Sequence, residues 1–309
     1  MDIRLVNLTK IFADKNSEVR AVDNLDITIP SGKLIGLLGP SGCGKSTTLY
    51  MIAGLLEPSS GQIFFGEDDV TALSAEKRGI GLVFQNYALY PHMTVRQNIM
   101  FPLQNMKLPK AEILARTVKY SRLVGIEELL DRKPKQLSGG QQQRVAIART
   151  LAPNPKVLFM DEPLSNLDAK LRLEMRTELK RLHTETNSTF VYVTHDQLEA
   201  MTLATEVCLM KNGLLQQYAP PLYVYSNPNN LFVADFVGNP AMNFIPAKVQ
   251  QIDELTYEVR FHNVVTRFTA NEPFELPSED VVLGIRPEFV EISDKGLAAK
   301  VYSTLPAGM

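Results

Sequence analysis

The sequence predicts an α/β domain with a helical insertion, followed by a small all-β domain. Short apolar runs alternate with helical patterns through the first two thirds of the chain, which is typical of a mainly parallel sheet covered by helices. Residues 95–130 are rich in helical periodicity and indicate the insertion, with predicted helices at Val95–Phe101 and Lys110–Val124 and with Pro102 and Pro109 as breaks. From about residue 243 that periodicity disappears, and short alternating segments between polar turns indicate β structure. The predicted strands there are Ala247–Ile252, Thr256–Phe261, Val264–Thr269, Val281–Ile285 and Phe289–Ile292. The expected domains are 1–235, with the helical insertion at about 90–150, and 236–309.

The composition is that of an ordinary soluble globular protein, with 45% hydrophobic and 21% charged residues. A formal net charge of −2 gives no sign of nucleic-acid binding. Cys43 and Cys208 are too few for a disulfide framework, which suits a reducing cytosol. No apolar run approaches the roughly 18–20 residues of a membrane-spanning helix, and the N-terminus lacks the apolar core of a signal peptide. We therefore expect an intracellular chain that could still dock on a membrane protein.

The strongest motif is the stretch Gly39–Thr47, with the sequence GPSGCGKST. It follows the apolar run Leu34–Leu38, which predicts a buried strand, and precedes Thr48–Ala53, which predicts a helix. Strand, glycine-rich loop, Lys-Ser and helix together form the context of a phosphate-binding loop. Its backbone N–H groups and the helix N-terminus favour a polyphosphate. Lys45 would reach the β- and γ-phosphates and Ser46 would bind Mg²⁺, whereas a tight turn without a ligand is the plainer alternative.

Polar side chains also stand at the ends of three further apolar strand patterns. They are Gln85 after residues 80–84, Asp161 and Glu162 after residues 157–160, and His195 after residues 188–193. Ligands of α/β proteins bind at such strand ends. Asp161 is the acid expected to hold Mg²⁺ beside a phosphate loop, and Gln85 offers an amide oxygen to the same metal or to a water. Glu162 is placed to polarise a water, and two unpaired carboxylates would be costly to bury for a structural purpose alone.

Two other segments carry weaker signals. Phe12 lies between two predicted strands, Asp2–Leu8 and Leu25–Ile29, where we expect a loop. Its ring is either a satellite core aromatic or a platform for an adenine ring. Leu137–Gln141 precedes a predicted helix, and its Ser-Gly-Gly is a second possible phosphate cradle. One chain folding around one nucleotide does not need two cradles. Asp168 is expected to cap the helix that follows it.

With these motifs in this order, the chain resembles the ATP-binding subunits of ABC transporters over residues 1–215. The matching positions are Phe12 of the aromatic loop; Gly39, Pro40, Ser41, Gly42, Cys43, Gly44, Lys45, Ser46 and Thr47 of Walker A; Gln85 of the glutamine loop; Ser138, Gly139, Gly140 and Gln141 of the signature; Asp161 and Glu162 of Walker B; Ser165–Asp168 of the D-loop; and the switch histidine His195. The resemblance implies an ABC-type P-loop NTPase fold, ATP and Mg²⁺ as cofactors, a metal held by Ser46, Gln85 and Asp161, and hydrolysis with Glu162 and His195 as catalytic residues. It also implies a homodimer in which ATP lies between Walker A of one copy and Ser138–Gly140 of the other.

The C-terminal part narrows the resemblance to importers of the maltose, multiple-sugar and glycerol-3-phosphate type. The stretches that carry it are Gly213–Pro221, Phe232–Asn243 and Val282–Glu288, the last of which resembles an OB-type regulatory domain. The family's tail usually extends for several more strands, so we expect the last β module to be incomplete at Leu305–Met309 or completed differently.

The resemblance also implies partners. They are a second copy of the chain, two transmembrane permease subunits that dock near Tyr87–Val95, and, through the permease, an extracellular or periplasmic solute-binding protein. The implied location is the cytoplasmic face of the cell membrane, and no nucleic-acid partner is expected.

Several alternatives remain open on the sequence. Polyamine, iron and anion importers share parts of the tail pattern. A non-transport ABC ATPase would usually carry two ATPase domains, a long coiled coil or a basic patch, and a P-loop kinase would not need Leu137–Gln141. The β domain could in addition dock a cytosolic regulator. The solute itself is not encoded in any motif of this chain.

Overall fold

The computed structural model of this protein describes residues 1–14, 17–276 and 278–291. The chain divides into two compact units, Met1–Val233 and Ala234–Met309. The strands of the first unit are β1 (Ile3–Asp14), β2 (Ser17–Ile29), β3 (Leu34–Leu38), β4 (Ser60–Phe65), β5 (Asp68–Asp69), β6 (Gly81–Val83), β7 (Val157–Asp161), β8 (Thr189–Thr194), β9 (Glu206–Lys211) and β10 (Leu214–Ala219). Its helices are α1 (Lys45–Ala53), α2 (Val95–Asn105), α3 (Lys110–Leu123), α4 (Gly139–Leu151), α5 (Ala169–Thr186), α6 (Gln197–Leu203) and α7 (Pro221–Ser226), and α8 (Leu231–Phe236) spans the division. Short 3₁₀ turns lie at Ala75–Lys77, Glu127–Leu129, Pro134–Gln136 and Pro287–Phe289.

The central sheet of the first unit has six strands in the order β10-β9-β3-β8-β7-β6. All neighbouring pairs from β9 to β6 are parallel, with Leu37 opposite Val193 and Phe159 opposite Val191. Strands β3, β7 and β8 are buried along their whole length, which is why they read as continuous apolar runs. Because these strands run in one direction, their carboxyl ends meet at a single edge of the sheet.

A second, antiparallel sheet has the order β2-β1-β4-β5 and shares an apolar core with α1 and the central sheet. The sequence predicted β1 and β2 too short, because the alternation of polar and apolar residues fails after Leu8. Register shifts between Leu5 and Leu8, between Leu8 and Lys10, and between Lys10 and Ile11 break the two-residue period there. The hairpin nevertheless continues to Asp14 and Ser17.

The helical insertion packs α2, α3 and α4 into the other large core cluster. Pro102 was expected to end the first of these helices, and this prediction is wrong, because α2 continues through it to Asn105. Val95, Ile99 and Leu103 are completely buried on both sides of the proline. Their packing outweighs the loss of one backbone hydrogen bond, which is the physical reason that the helix continues.

The second unit contains an antiparallel sheet in the order β13-β12-β11-β14. Its strands are β11 (Asn243–Gln251), β12 (Thr256–Phe261), β13 (Val264–Thr269) and β14 (Asp280–Ile285), and they confirm the predicted β structure. Tyr257 is fully buried and stacks on Phe274 with ring centroids 4.3 Å apart. A strand predicted at 289–292 is wrong where the structure describes it, because Pro287 begins a 3₁₀ turn that includes Phe289. Residues 292–309, including the expected incomplete end of the module, lie outside the described residues.

None of the helices described here has both the length and the hydrophobicity needed to cross a bilayer.

Candidate functional site

Four of the predicted segments meet at the carboxyl edge of the central sheet. Gly39–Thr47 follows β3, His195 follows β8, Asp161 ends β7 and Gln85 lies two residues after β6. These strands are consecutive neighbours in the sheet, so the four segments form one row. The row is the location in which open α/β sheets bind ligands.

The phosphate loop, Gly39–Thr47, has a backbone that only glycine can follow at two points. Gly39 and Gly44 have φ values of 151° and 104°. A Cβ atom on Gly39 would lie 2.2 Å from the carbonyl oxygen of Met210, and one on Gly44 would lie 2.2 Å from that of Ala21. The loop is also tied to the β9–β10 turn, because Gly213 donates its N–H to the Cys43 carbonyl at 3.1 Å. The sequence therefore specifies a rigid, close-packed turn.

Lys45 is buried inside this turn, with only 6% of its surface exposed. Its Nζ donates to the carbonyl oxygens of Gly39 and Pro40 at 2.8 and 2.9 Å. Helix α1 begins at this lysine and carries neither a side-chain cap nor an acidic residue in its first turn. A cavity of about 200 Å³ lies against the loop; it is lined by Ala21, Ser41, Gly42, Gly44, Lys45, Ser46, Thr47 and Glu162. A buried cation and uncapped helix N–H groups suit an anionic ligand of phosphate type.

Cys43 of the same loop is buried, with 3% of its surface exposed. Burial raises the pKa of its thiol, although the positive charge of Lys45 opposes the shift. The thiol is therefore protonated at neutral pH and behaves as a small apolar side chain of the loop.

Asp161 lies at the centre of the row and accepts hydrogen bonds on both carboxylate oxygens. Ser46 Oγ donates to Oδ1 at 2.9 Å, and the hydroxyl of Tyr50 donates to Oδ2. Tyr50 was not predicted from the sequence, although it follows Ser46 by four residues and so lies one turn further along the same face of α1. Burial, followed by the hydrogen bond to Asp161, raises the pKa of Tyr50 to about 12, so the phenol stays protonated and remains a donor.

The donor set around Asp161 fits Mg²⁺ by its chemistry. Ser46 and Asp161 bring one hydroxyl and one carboxylate oxygen together, and Mg²⁺ is commonly held by one or two carboxylates together with substrate phosphates. No group of three or more His, Cys, Asp or Glu side chains suited to a metal occurs in residues 1–14, 17–276 and 278–291. With one hydroxyl and one carboxylate, Ser46 and Asp161 suit a metal that arrives with a phosphate.

Glu162 lies between Gln85 and His195. Gln85 Nε2 donates to one Glu162 carboxylate oxygen at 3.1 Å, and His195 Nδ1 lies 3.4 Å from the other. Glu162 has a φ of 44°, a strained conformation for a residue with a side chain. Ser165 Oγ donates to the carbonyl oxygen of Glu162 at 3.0 Å and supports this conformation.

Gln85 accordingly faces Glu162 and Ser165 in this structure, since Nε2 also lies within 3.3 Å of Ser165 Oγ. Within the described part of the chain, the hydrogen bonds of the Gln85 side chain reach neither Asp161 nor Ser46. The structure thus joins two of the three predicted metal ligands, Ser46 and Asp161. The role of Gln85 toward a metal stays a prediction.

Phe12 was expected on a loop, and that expectation is wrong, because the residue belongs to β1 and pairs with Val19. Its side chain is 45% exposed, and Lys10 Nζ lies 5.3 Å from the ring centroid. Because the ring is this exposed, Phe12 is not part of a small hydrophobic core, which was the alternative to an adenine platform. The ring remains accessible to a planar ligand.

The Ser138–Gln141 segment begins helix α4 and does not belong to the row of strand ends. Ser138 is the N-cap of α4, and Ser138 and Gln141 form a reciprocal capping box, at 3.3 and 3.0 Å. Gly140 packs against Leu171, and a Cβ atom there would approach that side chain to 2.7 Å. None of these four residues lines the cavity at the phosphate loop. Asp168 caps α5, as predicted, by accepting from the N–H of Leu171 at 2.9 Å.

Comparison with known protein families matches both units of the chain. A model described as "ABC transporter" matches residues 22–165, and a model described as "MalK OB fold domain" matches residues 238–290. The first range contains the phosphate loop, Gln85, the Ser138–Gln141 segment, Asp161 and Glu162. The second contains the antiparallel sheet of the C-terminal unit.

Several relatives match over nearly the whole chain. The trehalose/maltose import ATP-binding protein MalK of Thermococcus litoralis is 47% identical, over 93% of this chain and 78% of the relative. The trehalose import ATP-binding protein SugC of Mycobacterium tuberculosis is 48% identical, over 94% and 73%. The lactose transport ATP-binding protein LacK of Rhizobium radiobacter is 44% identical, over 93% and 79%.

A similar solved structure is the dimeric, post-hydrolysis ATP-binding cassette MJ0796 bound to ADP and Pi. It has a TM-score of 0.64 and 33% identity, and the match covers 71% of this chain and 98% of that chain. Together with the family models, it confirms the predicted fold class, a P-loop NTPase domain followed by an OB-like β domain.

Proposed function

We propose that this chain, which belongs to the ABC transporter family of ATP-binding subunits and is an ATPase, powers the import of a carbohydrate across a membrane. The observation that carries the ATPase chemistry is the row of Lys45, Ser46, Asp161, Glu162 and His195 at one sheet edge. The carbohydrate is supported by relatives at 44–48% identity that are named for trehalose, maltose and lactose transport. The OB model of the C-terminal unit supports the same subfamily.

In the proposed mechanism, the phosphate loop binds the β- and γ-phosphates of ATP. Lys45 exchanges its two loop carbonyls for phosphate oxygens, and the uncapped N–H groups of α1 donate to the same anion. Mg²⁺, when bound with ATP, would neutralise charge on the phosphate oxygens. Ser46 and Asp161 would hold it, with Gln85 as a third ligand if its side chain turns away from Glu162. Phe12 offers its exposed ring to the adenine.

Hydrolysis is assigned to Glu162 as the general base toward the attacking water. Its carboxylate is positioned by Gln85 on one side and by His195 on the other. His195 is proposed to contact the γ-phosphate, since its ring is exposed beside Glu162. Phosphoryl transfer needs positioning and electrostatic stabilisation more than covalent chemistry, and these residues supply both.

A second copy of the chain is proposed to complete the site. Ser138, Gly139, Gly140 and Gln141 match the family's signature yet do not line the cavity at the phosphate loop of their own chain. The related cassette MJ0796 is a dimer in its solved structures. We therefore assign the signature of each copy to the ATP held by the phosphate loop of the other.

Two permease subunits are proposed to dock beside Gln85, on the segment Tyr87–Val95, and to connect the ATPase to a solute-binding protein outside the membrane. Arg149 supports this segment by donating to the carbonyl oxygens of Ala88 and Tyr87 at 2.7 and 2.9 Å. The chain would thus be peripheral, on the cytoplasmic face of the membrane. We place the boundary between the ATPase and OB-like domains at residues 235 and 236.

The test uses the full chain and its Glu162→Gln variant. We expect the variant to bind ATP with Mg²⁺ and to form a stable dimer, while its hydrolysis falls by about a thousandfold, since a general base contributes 10²–10⁴. The readouts are phosphate release and the molar mass in solution with and without ATP. Wild-type hydrolysis in the variant would remove the base assignment, and failure of ATP to dimerise it would remove the shared site.

The carbohydrate assignment needs the transporter. Co-purification should recover permease subunits, and the reconstituted complex in vesicles should take up a labelled disaccharide when ATP is supplied on the side of this chain. Uptake of a polyamine or an inorganic anion without uptake of any sugar would contradict the assignment.

A further inference from the structure

The turn that carries His195 is held by hydrogen bonds from both of its flanking residues. Thr194 Oγ1 donates to Glu199 Oε2 at 3.0 Å and accepts from the N–H of Asp196 at 3.0 Å. Asp196 Oδ1 in turn accepts from the N–H of Glu199 at 3.1 Å and caps α6. The His195 side chain is 57% exposed and contacts Glu162 through Nδ1 at 3.4 Å, while this ring of hydrogen bonds holds the backbone turn from which it projects.

Glu199 is an unusual residue to find under an exposed turn. Its side chain is 3% exposed, and among the described residues its Oε1 has no hydrogen-bond partner. Arg172 and Arg176 of α5 act on it electrostatically, and the Nε atom of each is likewise buried without a partner in the part of the chain that the structure describes. Such incompletely paired polar groups cost stability, which indicates that this cluster serves the geometry of the site.

Arg172 extends the cluster to the D-loop, Ser165–Asp168. Its Nη1 lies 3.6 Å from Asp196 Oδ2, and its Nη2 donates to the carbonyl oxygen of Leu167 at 3.1 Å. A small cavity of about 20 Å³ joins these groups; it is lined by Glu162, Leu164, Ser165, Arg172, Thr194, His195, Asp196 and Glu199. The cluster therefore contacts both the histidine turn and the D-loop, and Glu162 lines the same cavity.

We infer that Glu199 and Arg172 are positioning residues for hydrolysis. They hold the His195 turn and the D-loop in a defined position relative to Glu162. This inference rests on the proposed function, because it requires that Glu162 and His195 act on ATP. Neither residue lines the cavity at the phosphate loop, so neither is assigned contact with the nucleotide there. Their effect is on the rate of the chemical step and not on the affinity for ATP.

The arrangement has a pH dependence. Burial raises the pKa of the Glu199 carboxyl to about 7, although the hydrogen bond from Thr194 lowers it. Helix α6, which carries Glu199, packs against α5, β8, β3 and α7. The charged and titratable groups near the Glu199 carboxyl are Arg172 and Arg176 of α5, Tyr192 of β8, Asp196 at the start of α6, and Glu162 and His195 across the cavity. Strand β3 has no titratable residue, and α7 has only Tyr223 and Tyr225. Above pH 7 the carboxylate accepts from Thr194 and attracts both arginines. Below pH 7 it is protonated and that attraction is lost, so turnover should fall as the pH decreases through about 7.

The test measures kcat and KM for Mg²⁺-ATP from pH 6 to 8.5 with the full chain. Glu199→Gln keeps the shape and the acceptor for Thr194 but cannot ionise. We expect kcat at pH 8 to fall about tenfold with KM changed less than about twofold, and the inflection near pH 7 to disappear. Thr194→Val, which removes the shared hydroxyl, should lower kcat in the same way. Thr177→Val on the exposed face of α5 is the matched control and should leave both constants unchanged.

A wild-type pH profile and kcat in Glu199→Gln would overturn the inference, as would a variant in which only KM changes. If Glu199→Gln does not fold, as judged by its melting transition, Asp196→Asn decides the matter, because it keeps the helix cap and removes only the charge that faces Arg172. A wild-type kcat in that variant would also overturn the inference. If the wild-type chain itself fails to hydrolyse ATP, the proposed function has failed instead, and Glu162→Gln identifies that case.

Discussion

Two glycine-rich helix starts in this molecule have opposite local chemistry. At Gly44 the helix α1 has no side-chain cap, its glycine has a φ of 104°, and a buried lysine begins the helix. At Ser138 the helix α4 has a reciprocal capping box with Gln141, and the Gly139-Gly140 pair lies inside the helix. The first N–H groups of α1 are therefore available to a ligand, whereas the capping box already satisfies some of the first N–H groups of α4. The sequence predicts both motifs as phosphate cradles, but within a single chain α1 has more backbone N–H groups available for a phosphate than α4.

Among tests of the two helix starts, Gly44→Ala compared with Gly139→Ala should give the largest difference. Gly44→Ala places a Cβ atom 2.2 Å from a backbone carbonyl at a positive φ, so we expect ATP affinity to fall more than about 100-fold. Gly139→Ala places its Cβ 3.5 Å from Leu167 Cδ2, an ordinary contact, and should leave binding by the isolated chain unchanged. Fluorescent ATP titration at a concentration below dimerisation measures both. Equal losses in the two variants would contradict the comparison.

Tyr50→Phe should have an intermediate effect. The substitution removes one of the two donors to Asp161, and loss of such a supporting partner typically costs about 10-fold in metal affinity. We expect ATP binding in the presence of Mg²⁺ to weaken by about that factor, while binding in EDTA stays the same.

Tyr120→Phe is the matched control, because the Tyr120 hydroxyl, on α3, contacts Asn154 and not Asp161. An equal affinity of Tyr50→Phe and the wild type in Mg²⁺ would show that Ser46 alone orients the carboxylate.

The smallest effect concerns the cap of the second helix start. Ser138→Ala removes the acceptor for the Gln141 N–H and should lower the free energy of unfolding by about 1 kcal/mol. Ser138→Asn keeps a capping side chain and should restore that stability. If Ser138 also contacts the ATP bound by the other copy, hydrolysis by the dimer should be below the wild-type rate in both variants. Denaturant unfolding measures the capping role, and phosphate release measures the contact with ATP. Full hydrolysis in Ser138→Asn would reduce Ser138 to a cap.

Local motifs were predictable because they depend on short stretches of chain. The run Val157–Met160 predicts β7, the run Leu34–Leu38 predicts β3, and Asp168 predicts the cap of α5, and all three are confirmed. Phe12 and Pro102 show the limit of this reasoning. The strand at Phe12 passes register shifts that erase its periodicity, and the helix at Pro102 is maintained by core packing that no local pattern records.

The sequence by itself determined the phosphate loop, the polar residue at each strand end and the two kinds of domain. Each of these follows from neighbouring residues, whose periodicity and turn chemistry act over a few positions. Only the tertiary structure decided which of these residues meet. Ser46 and Asp161 are separated by 115 positions and Gln85 and Glu162 by 77, and they come together because β3, β8, β7 and β6 lie side by side. Tyr50, Arg172 and Glu199 became functional candidates for the same reason, since burial and the order of the strands created their contacts.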